Sequence, residues 1–257
     1  MGEREVNLLQ DKVIIITGGA SGMGRAGARI FAEEGARVVV ADLNEEQALE
    51  TEREVVAAGG ICKAFRYDAT SSADTERLVA GTIAEFGKLD VAWANAGMPA
   101  PFATVEAYDE DLFDRLMAVN IKGPWLLAKH AAPALKDSRG SLIITASLSG
   151  LKGRANHSGY QAAKGGAVML TRSLAKEFAP FGVRVNSLCP VAADTPMLPQ
   201  FLDESGGLMS RDELAAGIPM GRLATAEDVA RAALFFASDL SAFVTGVNLP
   251  VDGGTSA

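Results

Sequence analysis

Short apolar runs alternate with longer stretches of helical period along nearly the whole chain, and this alternation restricts the fold more than any other feature. The apolar runs occupy residues 13–16, 37–41, 62–67, 89–94, 141–146, 183–188 and 247–251, and the helix-period stretches occupy 22–34, 45–58, 73–86, 111–135 and 158–181. Several runs are apolar at successive positions, as in Val13-Ile14-Ile15-Ile16, a pattern of strands covered on both faces. The alternation implies right-handed crossovers and an α/β fold: a doubly wound parallel sheet of about seven strands with helices on both faces. No Pro/Gly-rich linker, internal repeat or low-complexity tract interrupts it, so residues 1–257 read as a single domain. Pro250 lies inside the last run, which suits an edge strand because proline has no N–H to donate.

Composition removes several classes of function. A hydrophobic fraction of 48% supplies a large core, yet no run approaches the roughly 18 apolar residues of a membrane-spanning helix. The net charge of -8 argues against a nucleic-acid or anionic-membrane surface. The first residues lack the basic and apolar stretches of a secretory signal. Cys62 and Cys189 are the only cysteines and neither belongs to a CxxC pair, so no disulfide framework or metal site is expected. The expectation is a reduced, cytoplasmic protein.

Residues 193–223 break the rhythm, with Pro196, Pro199, Gly206, Gly207, Gly217 and Pro219 among them. Met197, Leu198, Phe201, Leu202, Leu208 and Met209 give this stretch an apolar face. An insertion after a strand's carboxyl end lies where open α/β sheets bind ligands, which makes it a candidate substrate lid rather than an ordinary surface excursion.

Thr17-Gly18-Gly19-Ala20-Ser21-Gly22-Met23-Gly24 follows the first apolar run and leads into a helix-period stretch. Gly18, Gly22 and Gly24 permit a sharp turn and close approach to phosphate, and the following helix start presents free N–H groups to an anion. The spacing is GxxxGxG, not the GxGxxG of the commonest dinucleotide fingerprint. Asp42 ends the second run, where a carboxylate accepts hydrogen bonds from ribose hydroxyls; a helix cap is the alternative reading. A 2′-phosphate there would meet like charge. Neither Ser21 nor Leu43 and Asn44, which follow Asp42, supplies a basic group, so the expected cofactor is NAD.

Tyr160 and Lys164 stand four residues apart in a helix-period stretch, and therefore on one face. An ammonium beside a phenol favours the phenolate, and Ser147, at the end of a strand-like run, is placed to donate to a carbonyl or alkoxide oxygen. A YxxxK pair alone describes many solvent-facing helices. Together with the glycine-rich turn it points to hydride transfer at a carbonyl carbon.

With Asp68, Asn95-Ala96-Gly97, Asn120, Pro190, Thr195 and the terminal Val251-Asp252-Gly253-Gly254, these residues make the chain resemble the short-chain dehydrogenase/reductase family over nearly its whole length, in its NAD-preferring type. The resemblance implies a Rossmann fold with catalytic Asn120, Ser147, Tyr160 and Lys164. It implies adenine contacts from Asp68 and Ala69, a cofactor cleft lined by Asn95, Ala96, Gly97, Pro190 and Val191, a ribose contact from Lys164 and a carboxamide contact from Thr195. Asn120 would help hold a water that relays protons through Lys164. It also implies a homotetramer with the helices of Asn120 and Tyr160 between subunits. Two residues depart from the family pattern: Ala94 replaces an Asn often found before Asn-Ala-Gly, and Val191 replaces the usual Gly after Pro190, restricting the backbone beside the nicotinamide.

The implied reaction interconverts a secondary alcohol, aliphatic, cyclic or sugar-like, with its ketone. A 3-oxoacyl-thioester reductase and a non-enzymatic cofactor-binding scaffold or sensor are the alternatives. Substrate contacts are expected from Ser147, His157 and Tyr160. Lys152 and Arg154 form a basic cluster with His157 and read either as solvent-facing or as partners for a substrate anion. His130 reads as a packed or interface residue, and Trp93 and Trp125 as core.

Overall fold

The computed structural model describes residues 7–201 and 210–257. Its elements in chain order are β1 (Val13–Thr17), α1 (Gly22–Glu33), β2 (Arg37–Asp42), α2 (Glu45–Ala57), β3 (Ile61–Arg66), α3 (Ser72–Phe86), β4 (Val91–Ala94), α4 (Glu110–Met117), α5 (Gly123–Ser138), β5 (Ser141–Thr145), α6 (Ser158–Phe178), β6 (Arg184–Pro190), β7 (Ala193–Asp194), α7 (Arg211–Ala216), β8 (Ala224–Thr225), α8 (Ala226–Ala237) and β9 (Asn248–Val251). Seven strands form one parallel sheet in the order β3-β2-β1-β4-β5-β6-β9, and β7 pairs with β8 apart from it. The expected single doubly wound α/β architecture is therefore the one observed.

Each strand divides its side chains between two cores. Ile14 and Ile16 pack with Phe31 of α1 and with Val229, Ala233 and Phe236 of α8. Ile15 packs on the opposite face with Leu127, Ala131 and Leu135 of α5 and with Leu174 and Phe178 of α6. Full burial of such a side chain contributes about 1.5–3 kcal/mol relative to exposure, and β1 is apolar from Val13 to Ile16, with Thr17 its one polar residue. Pro250 pairs with Cys189 on the edge strand β9, as its missing donor requires.

Three expectations need correction. The stretch 111–135 is not one continuous helix: α4 passes through a π-turn, Ala118–Lys122, into α5. Such a turn skips one helical acceptor and is frequent at functional sites. Residues 226–237, left unassigned by periodicity, form α8, which starts at a capping box in which Thr225 accepts from Asp228 N and the Asp228 carboxylate accepts from Thr225 N. Trp93 is wholly buried, but Trp125 is 45% exposed, with the Lys129 ammonium over its ring. Both lie in apolar stretches; only the helix face on which Trp125 falls separates them. His130 is half-buried and bonded to the Ser72 hydroxyl at 2.9 Å.

Candidate active site

Between β1 and β4 the strand order reverses, and the crevice at such a switch point is where open α/β sheets bind ligands. The glycine-rich turn lies there. Gly18 and Gly22 adopt φ of 66° and 49°, conformations that L side chains rarely take. A Cβ on Gly24 would stand 2.1 Å from the Gly18 carbonyl oxygen, and one on Gly18 would stand 2.9 Å from Ala96 Cα, so the turn tolerates no side chain at either position. Ser21 caps α1 in extended conformation without spending its hydroxyl on the helix, and the first turn carries no acidic residue. The opening of α1 thus keeps its donors and its positive dipole end for an anion, and Met23 faces the adjoining pocket.

Asp42 braces this turn. One carboxylate oxygen accepts from Ala20 N at 3.1 Å and the other from Asn44 N at 3.0 Å. The cap of α2 is Asn44, which accepts from Gln47 N, so Asp42 does not serve as the cap. Each Asp42 oxygen retains acceptor capacity for a ribose hydroxyl. Leu43 beside it is exposed.

Asn95 carries a structural duty that its sequence context did not reveal. Its Nδ2 donates to the carbonyls of Thr17 and Gly18 at 3.1 and 3.2 Å, and its Oδ1 accepts from Thr145 Oγ1 at 3.1 Å. It fastens the glycine turn to the ends of β4 and β5. Asp68 closes a turn by accepting from Thr70 N and Oγ1, with Ala69 packed against Gly123. Thr195 lies over the turn, its Cβ 3.4 Å from where a Gly22 Cβ would be.

Tyr160 and Lys164 project from the first turns of α6 and are almost wholly buried, as is Ser147 at the end of β5. The Ser147 hydroxyl hydrogen-bonds the Tyr160 phenol. Lys164 Nζ donates to the Thr145 carbonyl at 2.8 Å and lies 5.9 Å from the Tyr160 ring centre. A Cβ on Gly97 would stand 3.0 Å from Asn120 Oδ1 and 3.5 Å from Lys164 Nζ, so only glycine leaves that junction open. Asn120 spends its side-chain amide on Met98, accepting from its N at 3.1 Å and donating to its O at 3.0 Å.

The electrostatics differ from the simple expectation. Burial pushes the Tyr160 phenol up to about 12, against the opposing Ser147 hydrogen bond. Burial also brings the Lys164 ammonium down to about 8. In the free chain, desolvation outweighs the Ser147 hydrogen bond, and the Lys164 Nζ is anchored at the Thr145 carbonyl.

Ser147, Tyr160 and Lys164 line a cavity of about 430 Å³. Met98, Phe102, Leu148, Met197, Leu198 and Ile218 form much of its apolar wall. Val191 packs with Leu198, Ile218 and Leu223, which gives the departure from glycine a role: its branched side chain seats the irregular segment. Of the apolar residues expected in that segment, Leu202, Leu208 and Met209 lie outside the described residues. His157 is buried against Tyr160, ring centres 4.8 Å apart, and its Nε2 donates to the Ala100 carbonyl at 3.3 Å. Burial lowers its pKa, the Ala100 bond opposes this, and the nearby Arg154 cation adds to the lowering. Among the described residues no cluster of three or more His, Cys, Asp or Glu is arranged to hold a metal, and no helix is long and apolar enough to cross a membrane.

A family model described as Enoyl-(Acyl carrier protein) reductase matches residues 18–256. Short-chain dehydrogenase reductase 3c of Arabidopsis thaliana is 43% identical over 251 residues, covering 96% of this chain and 95% of the relative. The chain belongs to the short-chain dehydrogenase/reductase family. This is a family of oxidoreductases. It includes the cis-4-hydroxycyclohexanecarboxylate dehydrogenase of Sinomonas cyclohexanicum, 40% identical over 250 residues with 96% and 97% of the two chains covered. The crystal structure of a 3-ketoacyl-(acyl-carrier-protein) reductase from Brucella melitensis, complexed with NADH, superposes with a TM-score of 0.89 at 35% identity over 97% of this chain and 100% of that one.

Proposed function

We propose that the chain is an NAD(H)-dependent dehydrogenase that interconverts a secondary alcohol and its ketone. The observation that carries the reading is the meeting of Ser147, Tyr160 and Lys164 at the floor of an apolar cavity beside the glycine turn. The turn and Asp42 would hold the dinucleotide, with Asn95, Ala96, Gly97, Pro190, Val191 and Thr195 along the cleft. The bound cofactor would supply the carrier for the hydride, a proton together with two electrons. In oxidation Tyr160 Oη takes the hydroxyl proton as the C–H bond yields its hydride, and Ser147 donates to the substrate oxygen. Lys164 keeps a positive charge beneath the phenol and passes protons toward Asn120. Reduction reverses each transfer.

The apolar walls suit an alicyclic or aliphatic body, and the irregular segment 193–223 acts as the substrate lid. Exposed Trp125 on α5 and Met169 on α6 support assembly as a homotetramer through these helices. The acidic charge and two free, buried cysteines accord with a cytoplasmic setting. A 3-oxoacyl-thioester reductase remains the second reading, favoured by the likeness to the solved 3-ketoacyl-(acyl-carrier-protein) reductase. A panel of secondary alcohols and of 3-oxoacyl thioesters, followed by nicotinamide absorbance with NAD(H) and NADP(H), tests both. Turnover of thioesters alone would remove the alcohol reading.

Gly24→Ala is expected to weaken NADH binding at least about 10-fold, because the new methyl group meets a main-chain oxygen that has no rotamer to move into. Titration of nicotinamide fluorescence measures this. Unchanged affinity would place the dinucleotide elsewhere.

A further inference from the structure

The cavity's charge is opposite to that of the chain. The protein carries a net charge of -8, yet the described lining contains Lys152, Arg154 and Lys164 and no Asp or Glu. Two of these cations are committed: Lys164 to the Thr145 carbonyl and Lys152 to the Thr255 carbonyl, each at 2.8 Å. Arg154 is exposed at the cavity and has no carboxylate partner among the described residues.

Its guanidinium is nevertheless held in place. It lies 4.5 Å over the Phe102 ring, Phe102 stacks on His157 at 4.3 Å, and His157 stacks on Tyr160 at 4.8 Å. The two loops that carry this stack are tied by Ala103 N donating to the Asn156 carbonyl at 2.8 Å, with Asn156 in the left-handed conformation at φ 62°. Asparagine tolerates that conformation better than most residues. The stack runs along one wall from the proton-transferring phenol to a fork of N–H donors. A guanidinium over a ring keeps N–H donors with which it can bind a carboxylate through two hydrogen bonds.

We propose that Arg154 binds the carboxylate of a substrate whose reacting carbon lies at Tyr160, so that the enzyme acts on alicyclic hydroxy acids and the corresponding oxo acids. The inference rests on the alcohol–ketone reading above and adds the substrate class. The aromatic stack sets the spacing: a ring-sized apolar body lies between the two polar ends, against Phe102, Met98, Leu148 and Ile218. A neutral alcohol of the same shape would leave the guanidinium to solvent alone.

The test compares 4-hydroxycyclohexanecarboxylate with its methyl ester. At low salt, wild-type kcat/KM is expected to favour the acid on the order of 10- to 100-fold, shrinking as ionic strength rises because the pair is partly exposed. Arg154→Leu is expected to bring the acid-to-ester ratio to within about 3-fold, while Arg154→Lys retains part of it as a point charge without the fork. A second readout needs no turnover: calorimetric titration of cyclohexanecarboxylate into the NADH-loaded protein, expected to weaken at least about 10-fold in Arg154→Leu. An acid-to-ester ratio near one in wild type, or a ratio or calorimetric affinity that Arg154→Leu leaves intact, overturns the proposal. Failure of every alcohol and ketone to react would instead sink the alcohol–ketone reading, and the calorimetric arm would still decide the anion site.

Discussion

Tyr160→Phe is expected to bind NADH as the wild type does and to lose turnover by about 10²–10⁴-fold, the range that positioned acid–base groups supply. The substitution removes one oxygen and little else. The ring would keep its stack on His157 at 4.8 Å and its packing with Ala100 and Leu116. What disappears is the oxygen that receives the Ser147 hydrogen bond and that is proposed to accept the substrate proton. Single-turnover nicotinamide absorbance at saturating substrate separates this loss from binding. A variant with wild-type kcat would show that another group moves the proton.

The second large effect is expected in cofactor choice. Wild type should favour NAD over NADP by about 100-fold or more in kcat/KM, since a 2′-phosphate against Asp42 costs several kcal/mol. Asp42→Ala removes the repulsion and should collapse that ratio at least about 10-fold. Because Asp42 also accepts from Ala20 N and Asn44 N, the efficiency with NAD should fall in the same variant. The ratio, not either value alone, therefore reports the electrostatic contribution. Equal use of both cofactors by the wild type would contradict the assignment.

The strands and most helices were legible because each is written in a local period. Val13-Ile14-Ile15-Ile16 announces a strand buried on both faces, and all four residues are fully buried. The π-turn at Asn120 was not legible, since a helix with one skipped acceptor keeps nearly the same apolar spacing. Helix α8 did leave a signal, the Thr225 and Asp228 capping box, but its alanine-rich face gives weak contrast in a period search. Trp125 and Trp93 show that residue type alone does not place a side chain.

At the site, Ser147, Tyr160 and Lys164 were legible as candidates, whereas their relations depended on packing between distant segments. Phe102 meets His157 and Lys152 meets Thr255 across long stretches of chain that no spacing rule connects. The balance of forces on Tyr160 was also hidden: proximity to Lys164 predicted a lowered phenol pKa, and burial, which no sequence pattern quantifies, raises it to about 12 instead. Proximity in sequence identified the partners and left the sign of the shift to solvation.

On the proposed reading, Tyr160 serves as the base once a positively charged nicotinamide joins Lys164 in the cleft. Ultraviolet difference titration of wild type against Tyr160→Phe, with and without saturating NAD⁺, reads this directly. In the free chain no Tyr160 phenolate should form until the pH approaches about 12; with NAD⁺ bound, the phenolate band should appear at least about two pH units lower. A Tyr160 titration that NAD⁺ leaves unmoved would contradict the account.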